Sequence, residues 1–188
     1  MKTDIILAGV GGQGILSIAA VIGEAALEDG LYMKQTEVHG MSQRGGDVQS
    51  HLRISDQPVA SDMIPLGTAD IIISLEPMEA LRYLPYLKEE GWIVTNSKPF
   101  KNIADYPDLE QIMKVYNSFP KKIILDVEQI AKDLGIARSS NVVLLGAASP
   151  HLPIAYNKLE NGIRRIFGKK GENVVEANLK ALSAGAKN

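Results

Sequence analysis

Cysteine is absent from this chain. Its absence excludes disulfides, thiolate zinc sites, cysteine-held iron–sulfur clusters and a cysteine nucleophile. An excess of charge of one sign is lacking as well: 20 Lys and Arg stand against 22 Asp and Glu. A formal net charge of −2 leaves no electrostatic footprint for nucleic acid. No basic run suggests a membrane surface, and no apolar run approaches the length of a membrane span. Met1-Lys2-Thr3-Asp4 leads straight into a short apolar segment, without the longer apolar stretch and small-residue cleavage site of a signal peptide. Repeats, low-complexity tracts and charge blocks are missing too. The expectation is a soluble, cytoplasmic protein whose 188 residues suffice for one domain.

What is present reads as strands alternating with helices. Ile5-Ile6-Leu7-Ala8 is a short strand rich in β-branched residues. It meets Gly9-Val10-Gly11-Gly12-Gln13-Gly14, after which Ile15, Ile18, Ala19, Ile22, Ala25 and Ala26 recur on one helix face. Gly30 stands where a helix C-terminal glycine belongs, and 32–38 reads as a second strand. The opening is therefore a strand, glycine loop, helix, strand unit. Val48, Ser50, Leu52 and Ile54 alternate with Gln49, His51 and Arg53, which predicts a strand with one wet face. Ile71-Ile72-Ile73-Ser74-Leu75 reads as a buried strand, and Pro77 suits the first turn of a helix. Ala80, Leu81, Leu84 and Leu87 form that helix's apolar face; Gly91 ends it before a strand over 92–95. A short helix over 109–116, a strand over 123–125, and helices over 127–134 and 142–148 follow. Two amphipathic segments from Ile154, broken at 168–171, close the chain. The pattern predicts a single Rossmann-like α/β domain over 1–188, with a mostly parallel sheet flanked by helices and a helical C-terminal end.

Gly9, Gly11 and Gly14 have the G-x-G-x-x-G spacing in the strand-then-helix context that phosphate binding requires. A sharp turn favours glycine, and a bare backbone lets an anion approach the free N–H groups of the helix. The same glycines also serve a tight turn and close helix–sheet packing without any ligand. Gln13 has an amide able to reach a phosphate, a carbonyl or a neighbouring loop. Glu37, near the end of the second strand, stands roughly where dinucleotide folds place the acid that holds a ribose. A second polar loop follows, Glu37-Val38-His39-Gly40-Met41-Ser42-Gln43-Arg44-Gly45-Gly46-Asp47. Arg44 offers a planar positive fork for phosphate or carboxylate, or a surface ion pair. His39 lacks a nucleophile or second base at a meaningful spacing, so no catalytic residue is assigned. Glu76, at a strand end before Pro77, is read as a helix cap, and so is Asn141. His39, His51 and His151 lack metal-ligand spacing, so no metal is expected.

Together the two loops resemble the gamma subunit or domain of 2-oxoacid:ferredoxin oxidoreductases. The Glu37-Val38-His39-Gly40-Met41 form is most similar to the beta subunit of the indolepyruvate enzymes. Ala69-Asp70, Glu76-Pro77-Met78-Glu79-Ala80 and Asn141-Val142-Val143-Leu144-Leu145-Gly146-Ala147 sit where that family has similar segments, and the likeness becomes generic after His151. The resemblance implies a partner-dependent enzyme that converts a 2-oxoacid and coenzyme A to an acyl-CoA and carbon dioxide, with electrons passing to ferredoxin. Thiamine diphosphate and [4Fe-4S] clusters would lie on a larger alpha subunit. The cysteine-free composition agrees with that division, as does the lack of a Gly-Asp-Gly thiamine motif. The resemblance carries over as cofactor-binding positions Gly9, Gly11, Gly12, Gln13, Gly14, Gln43, Arg44, Gly45 and Gly46, directed at CoA phosphates or the neighbouring subunit.

Indolepyruvate or another arylpyruvate is the leading substrate, with pyruvate and branched-chain 2-oxoacids as alternatives. Two other classes remain open on the residues alone. One is a self-contained NAD(P)- or FAD-dependent enzyme, favoured by the glycine loop and Glu37. The other is a non-catalytic nucleotide-binding module.

Overall fold

The computed structural model describes residues 1–40, 45–101 and 103–188. Strand β1 (Lys2–Val10) is the hub: from Thr3 onward every residue of it is buried. The glycine loop turns it into helix α1 (Ile15–Glu28), whose buried positions are those the sequence period picks out, with Val21 and Gly23 added. Gly30, at a φ of 69°, stops that helix. Leu31 N–H returns to the Ala26 carbonyl and Gly30 N–H to that of Leu27, a Schellman closure.

Strands β2 (Tyr32–His39) and β3 (Asp47–Ser55) follow as an antiparallel pair. Strands β4 (Ala69–Ser74), β5 (Leu87–Asn96) and β6 (Lys122–Leu125) then add in parallel on the other side of β1. The order across the six-stranded sheet is β2-β3-β1-β4-β5-β6. Because β3 opposes both β1 and β2, it is the one reversed strand. The sheet is thus mostly parallel in direction, but the first two strands are not neighbours. β3 returns beside β2 and takes the place next to β1, with Lys2 opposite Ser55 and Val10 opposite Asp47.

The wet face expected on β3 is covered. His51 is 0% exposed and Arg53 is 7% exposed. Segment 61–64 lies over them: Ile64 N–H donates to His51 Nδ1 at 3.1 Å, and Arg53 reaches the carbonyls of Ser61 and Met63. Arg53 Nε also donates to Asp4 at 2.9 Å. The alternation marked two chemically different faces, and a crossing loop buried the polar one.

Helix α2 (Pro77–Arg82) is shorter than its apolar pattern suggests, because Pro85 interrupts any continuation. Leu84 falls in a single 3₁₀ turn and Leu87 opens β5. Gly91 lies inside β5, where pairing with β4 slips between the Ala69–Leu87 and Ile71–Trp92 pairs. Helices α3 (Leu109–Asn117) and α4 (Val127–Asp133) flank β6 in sequence. Helix α5 (Ser140–Ala148) is buried on all sides, and α6 (Tyr156–Phe167) and α7 (Glu172–Ala186) complete the helical end.

Two apolar cores result, one on each face of the sheet. The larger joins α1, α5, α6 and α7 to the sheet, and the smaller joins α2 and α3 to it. Helices α5 and α7 cross so closely that a Cβ on Gly146 would lie 2.1 Å from the Leu182 carbonyl oxygen. No helix among the described residues is long and apolar enough to cross a membrane.

Candidate functional site

The site lies at the carboxyl edge of the parallel strands, where β1 gives way to α1. Gly12 and Gly14 have φ values of 101° and 86°, a region costly for any residue with a Cβ. No acceptor is found among the described residues for the N–H groups of Gly12, Gly14, Ile15 or Leu16. Among the described residues no side chain caps α1. Within that set, the end of this 14-residue helix keeps its donors and its positive dipole end unpaired.

The other glycines and Gln13 are used internally. Val10 N–H donates to Gln13 Oε1 at 2.7 Å, and Gln13 Nε2 donates to the Leu75 carbonyl at 3.1 Å. Gln13 thus folds back and ties the end of β1 to the end of β4. A Cβ on Gly9 would lie 3.0 Å from that Gln13 oxygen, so Gly9 makes room for the tie.

The two sequence loops meet. Gly11 N–H donates to the Gly46 carbonyl at 2.8 Å. Gly45 N–H donates to the Gly11 carbonyl at 3.3 Å. Of the second set, Gly45 and Gly46 are therefore placed against the glycine loop, while Gln43 and Arg44 lie outside the described residues. Glu37 and His39 are exposed on the edge strand. They line a groove of about 450 Å³ with Val10, Gly12 and Leu16. β3 stands between the strand of Glu37 and the strand of the glycines, so the acid approaches from one strand further out than in a dinucleotide fold.

Two further grooves converge on Gly12. One, about 710 Å³, runs from Gly12–Gly14 between Arg138 and Lys170, with Ser139, Asn141 and Asn178 along it. The other, about 600 Å³, runs past Gly45 to Asn96, Phe100 and Arg138. Arg138 is exposed, makes no ion pair among the described residues, and borders both grooves. Lys170 Nζ sits 5.4 Å from the Phe167 ring centroid.

Asn141 is the residue that sequence reasoning misassigned. It is not a cap: α5 starts at Ser140, and Asn141 Nδ2 donates across to the Gly14 carbonyl at 3.1 Å. A Cβ on Gly14 would lie 2.7 Å from that nitrogen. The only available signal was a polar residue opening an otherwise apolar helix, and a local reading takes that for a cap. Arg138 was missed because it stands alone in a polar turn.

Glu76 does cap α2, accepting Glu79 N–H at 2.8 Å. It also accepts Phe100 N–H at 3.3 Å and the Tyr106 hydroxyl, which anchors the following loop beside the site. Burial first, then the Glu76 carboxylate, push the Tyr106 hydroxyl's pKa upward, so it stays a donor. Asn96 bridges Leu75, Lys98 and Val127 at the same edge. No group of His, Asp and Glu suited to a metal ion occurs among the described residues. His151 stacks on Trp92 at 3.7 Å, as a packing residue.

Comparison with known proteins places this architecture. A family profile described as pyruvate ferredoxin/flavodoxin oxidoreductase matches residues 4–188. An indolepyruvate oxidoreductase subunit of Pyrococcus horikoshii is 40% identical over 98% of this chain and 94% of its own length. A common gamma subunit of the pyruvate and ketoisovalerate oxidoreductases of Pyrococcus furiosus is 27% identical over 90% of this chain and 89% of its own. Among solved structures, a 2-oxoglutarate:ferredoxin oxidoreductase of Magnetococcus marinus superposes with a TM-score of 0.77 at 26% identity. It has 2-oxoglutarate, coenzyme A and succinyl-CoA bound. That alignment takes in 99% of this chain but 30% of the longer one. A keto/oxoacid ferredoxin oxidoreductase gamma subunit of Geobacter sulfurreducens superposes with a TM-score of 0.69 at 26% identity, over 100% of this chain and 95% of its own.

Proposed function

The chain belongs to the pyruvate ferredoxin/flavodoxin oxidoreductase family, and from that premise we propose that it is the small subunit of an indolepyruvate or arylpyruvate:ferredoxin oxidoreductase. Its work is to hold coenzyme A for oxidative decarboxylation carried out with a larger subunit. Thiamine diphosphate and iron–sulfur clusters belong to that partner in this reading, since a chain without cysteine offers no thiolate ligand for a cluster. The chain is inactive alone. When bound, those partner groups would supply the carbanion chemistry and the electron path to ferredoxin.

The observation that carries this reading is the hydrogen-bonded union of the two motifs at the open N-terminus of α1. The free N–H groups of Gly12, Gly14 and Ile15 face an anion without a Cβ from either flanking glycine in the way. Gly9, Gly11, Gln13, Gly45 and Gly46 shape that cradle, and Arg138 stands ready to pair a phosphate beside it. Gln43 and Arg44 belong to the same set by motif. The oxoacid itself is selected in the thiamine subunit, and pyruvate or branched-chain substrates are the alternative there. The identity to an indolepyruvate oxidoreductase subunit over nearly the full length of both chains supports the aryl substrate.

The test is reconstitution with the encoded large subunit. CoA-dependent reduction of ferredoxin by indolepyruvate is expected from the pair and from neither chain alone. Turnover by the isolated small chain, or full activity of the large chain without it, would overturn the proposal.

A further inference from the structure

His51 is a buried ionisable side chain that the proposed function does not use. It stands in the middle of β3 at 0% exposure, opposite Ile6 of β1 and Thr36 of β2. Segment 61–64 crosses above it and is fastened at two points. Arg53, on the same face of β3, donates to the carbonyls of Ser61 and Met63 at 3.0 and 2.8 Å. His51 makes the other fastening: its Nδ1 accepts the Ile64 N–H at 3.1 Å. Ile64 is itself 2% exposed, and its side chain belongs to the smaller core.

A ring nitrogen that accepts a hydrogen bond carries no proton, so the neutral ring bears its hydrogen on Nε2. Nε2 is buried and has no hydrogen-bond partner among the described residues. The Tyr86 ring, in the 3₁₀ turn after α2, stands at right angles to the imidazole with centroids 5.1 Å apart. Neither ring nitrogen meets a carboxylate among the described residues. A second proton would turn the acceptor of the Ile64 N–H into a donor facing another donor. It would also leave a cation in the interior with no counter-ion in contact.

We propose that His51 is a latch: it fastens segment 61–64 over β3 while its ring is neutral and releases Ile64 when the ring is protonated. Arg53 is the fixed fastening, because a guanidinium keeps its charge throughout the range in which His51 titrates. Around the ring, Arg53 on β3 opposes a second positive charge, while Asp62 on the crossing segment and Asp4 on β1 favour one. Lys34 of β2 pairs with Arg53 on that face and donates to the Ala60 carbonyl at 3.0 Å. Tyr86, with Tyr83 beside it, covers the ring from the other side of the crossing. Burial first, then Arg53, holds the His51 pKa below its ordinary value of 6.5. Once released, the ring meets water and titrates near 6.5 again. The fastened state therefore binds the proton more weakly than the released one. Fastening is strongest above pH 6.5, weakens as pH falls toward the lowered value, and changes no further below that. Within that window the fastened-to-released ratio falls by up to about tenfold per pH unit.

Amide hydrogen exchange on the full chain at about pH 7 and about pH 5, corrected for intrinsic rates, tests this. Protection of the Ile64 amide is expected to fall by about tenfold from the higher pH to the lower in the wild type. In His51→Asn, whose side-chain carbonyl takes the place of Nδ1 and does not titrate, it is expected to stay constant. Constant protection in the wild type, or an equal fall in both, overturns the proposal. Should His51→Asn fail to fold, a nitrogen-detected titration of the His51 ring in the wild type decides. Hydrogen on Nε2 alone at neutral pH and a midpoint below 6.5 are expected. Hydrogen on Nδ1, or a midpoint at or above 6.5, overturns the latch. Neither readout uses a partner subunit or coenzyme A, so its failure is distinct from failure of the proposed function.

Discussion

Asn141 reaches across from α5 to hold the Gly14 carbonyl, and that single hydrogen bond fixes how the glycine loop presents its N–H groups. Asn141→Ala removes it. The loss is expected to lower unfolding stability by about 1 kcal/mol, read as a shift in urea midpoint, since one neutral hydrogen bond contributes on that scale. Gly14→Ala should cost at least as much, because its φ of 86° disfavours a side chain and Asn141 Nδ2 would stand 2.7 Å from the new Cβ. An unchanged midpoint in both variants would remove Asn141 from the loop's support. Arg138→Gln is expected to act on ligand affinity and not on stability. In the reconstituted enzyme the KM for CoA should rise on the order of tenfold with the melting temperature unmoved, the scale of one lost charge-assisted hydrogen bond. The same measurement on Arg44→Ala tests the motif position beyond the described residues, and a KM unchanged from wild type in both variants would leave these arginines without a role in binding. Gln13 was legible as a special residue because it interrupts a glycine run. Its partners were not legible, because Leu75 lies 62 positions away in sequence.

The elements follow their periodicities where helix or strand faces one environment along its whole length. Helix α1 does so, and its buried positions and glycine stop match the sequence reading. β3 does not: its polar face meets segment 61–64, and nothing in the local alternation of Gln49, His51 and Arg53 reports what will cross above it. α2 stops short because Pro85 outweighs an apolar pattern that continues past it. Helix crossings are the least legible feature of this kind. Gly146 and Gly185 look like ordinary small residues in helical segments, yet they let α5 and α7 touch backbone to backbone. A Cβ on Gly185 would lie 1.9 Å from the Val143 carbonyl oxygen. Gly185→Ala must therefore push the helices apart, at a cost of about 1–3 kcal/mol typical of overpacking, or more if α5 moves as a unit. Chemical denaturation checks this, and a wild-type midpoint in Gly185→Ala would show that the crossing yields freely.

On the scale of the whole molecule, the grooves on either side of the glycine loop open outward. The chain presents an edge from which donors and cations project. That geometry suits a subunit completed by another. The expected outcome of mixing the chain with the proposed large subunit is a stable heteromeric peak in size-exclusion chromatography, with activity confined to that peak; separate elution of the two chains would count against it. The sequence alone determined the fold class, the glycine turn between β1 and α1, the pairing of two loop motifs within one family, and the absence of thiolate chemistry. These rest on composition and on patterns within one element, where each residue's conformational preference acts locally. Only the tertiary structure decided that β3 inserts beside β1, that Gln13 faces inward and that Asn141 supports the loop. Each of those depends on segments distant in the chain converging at one sheet edge, and burial there sets which polar groups stay free and which must find one another.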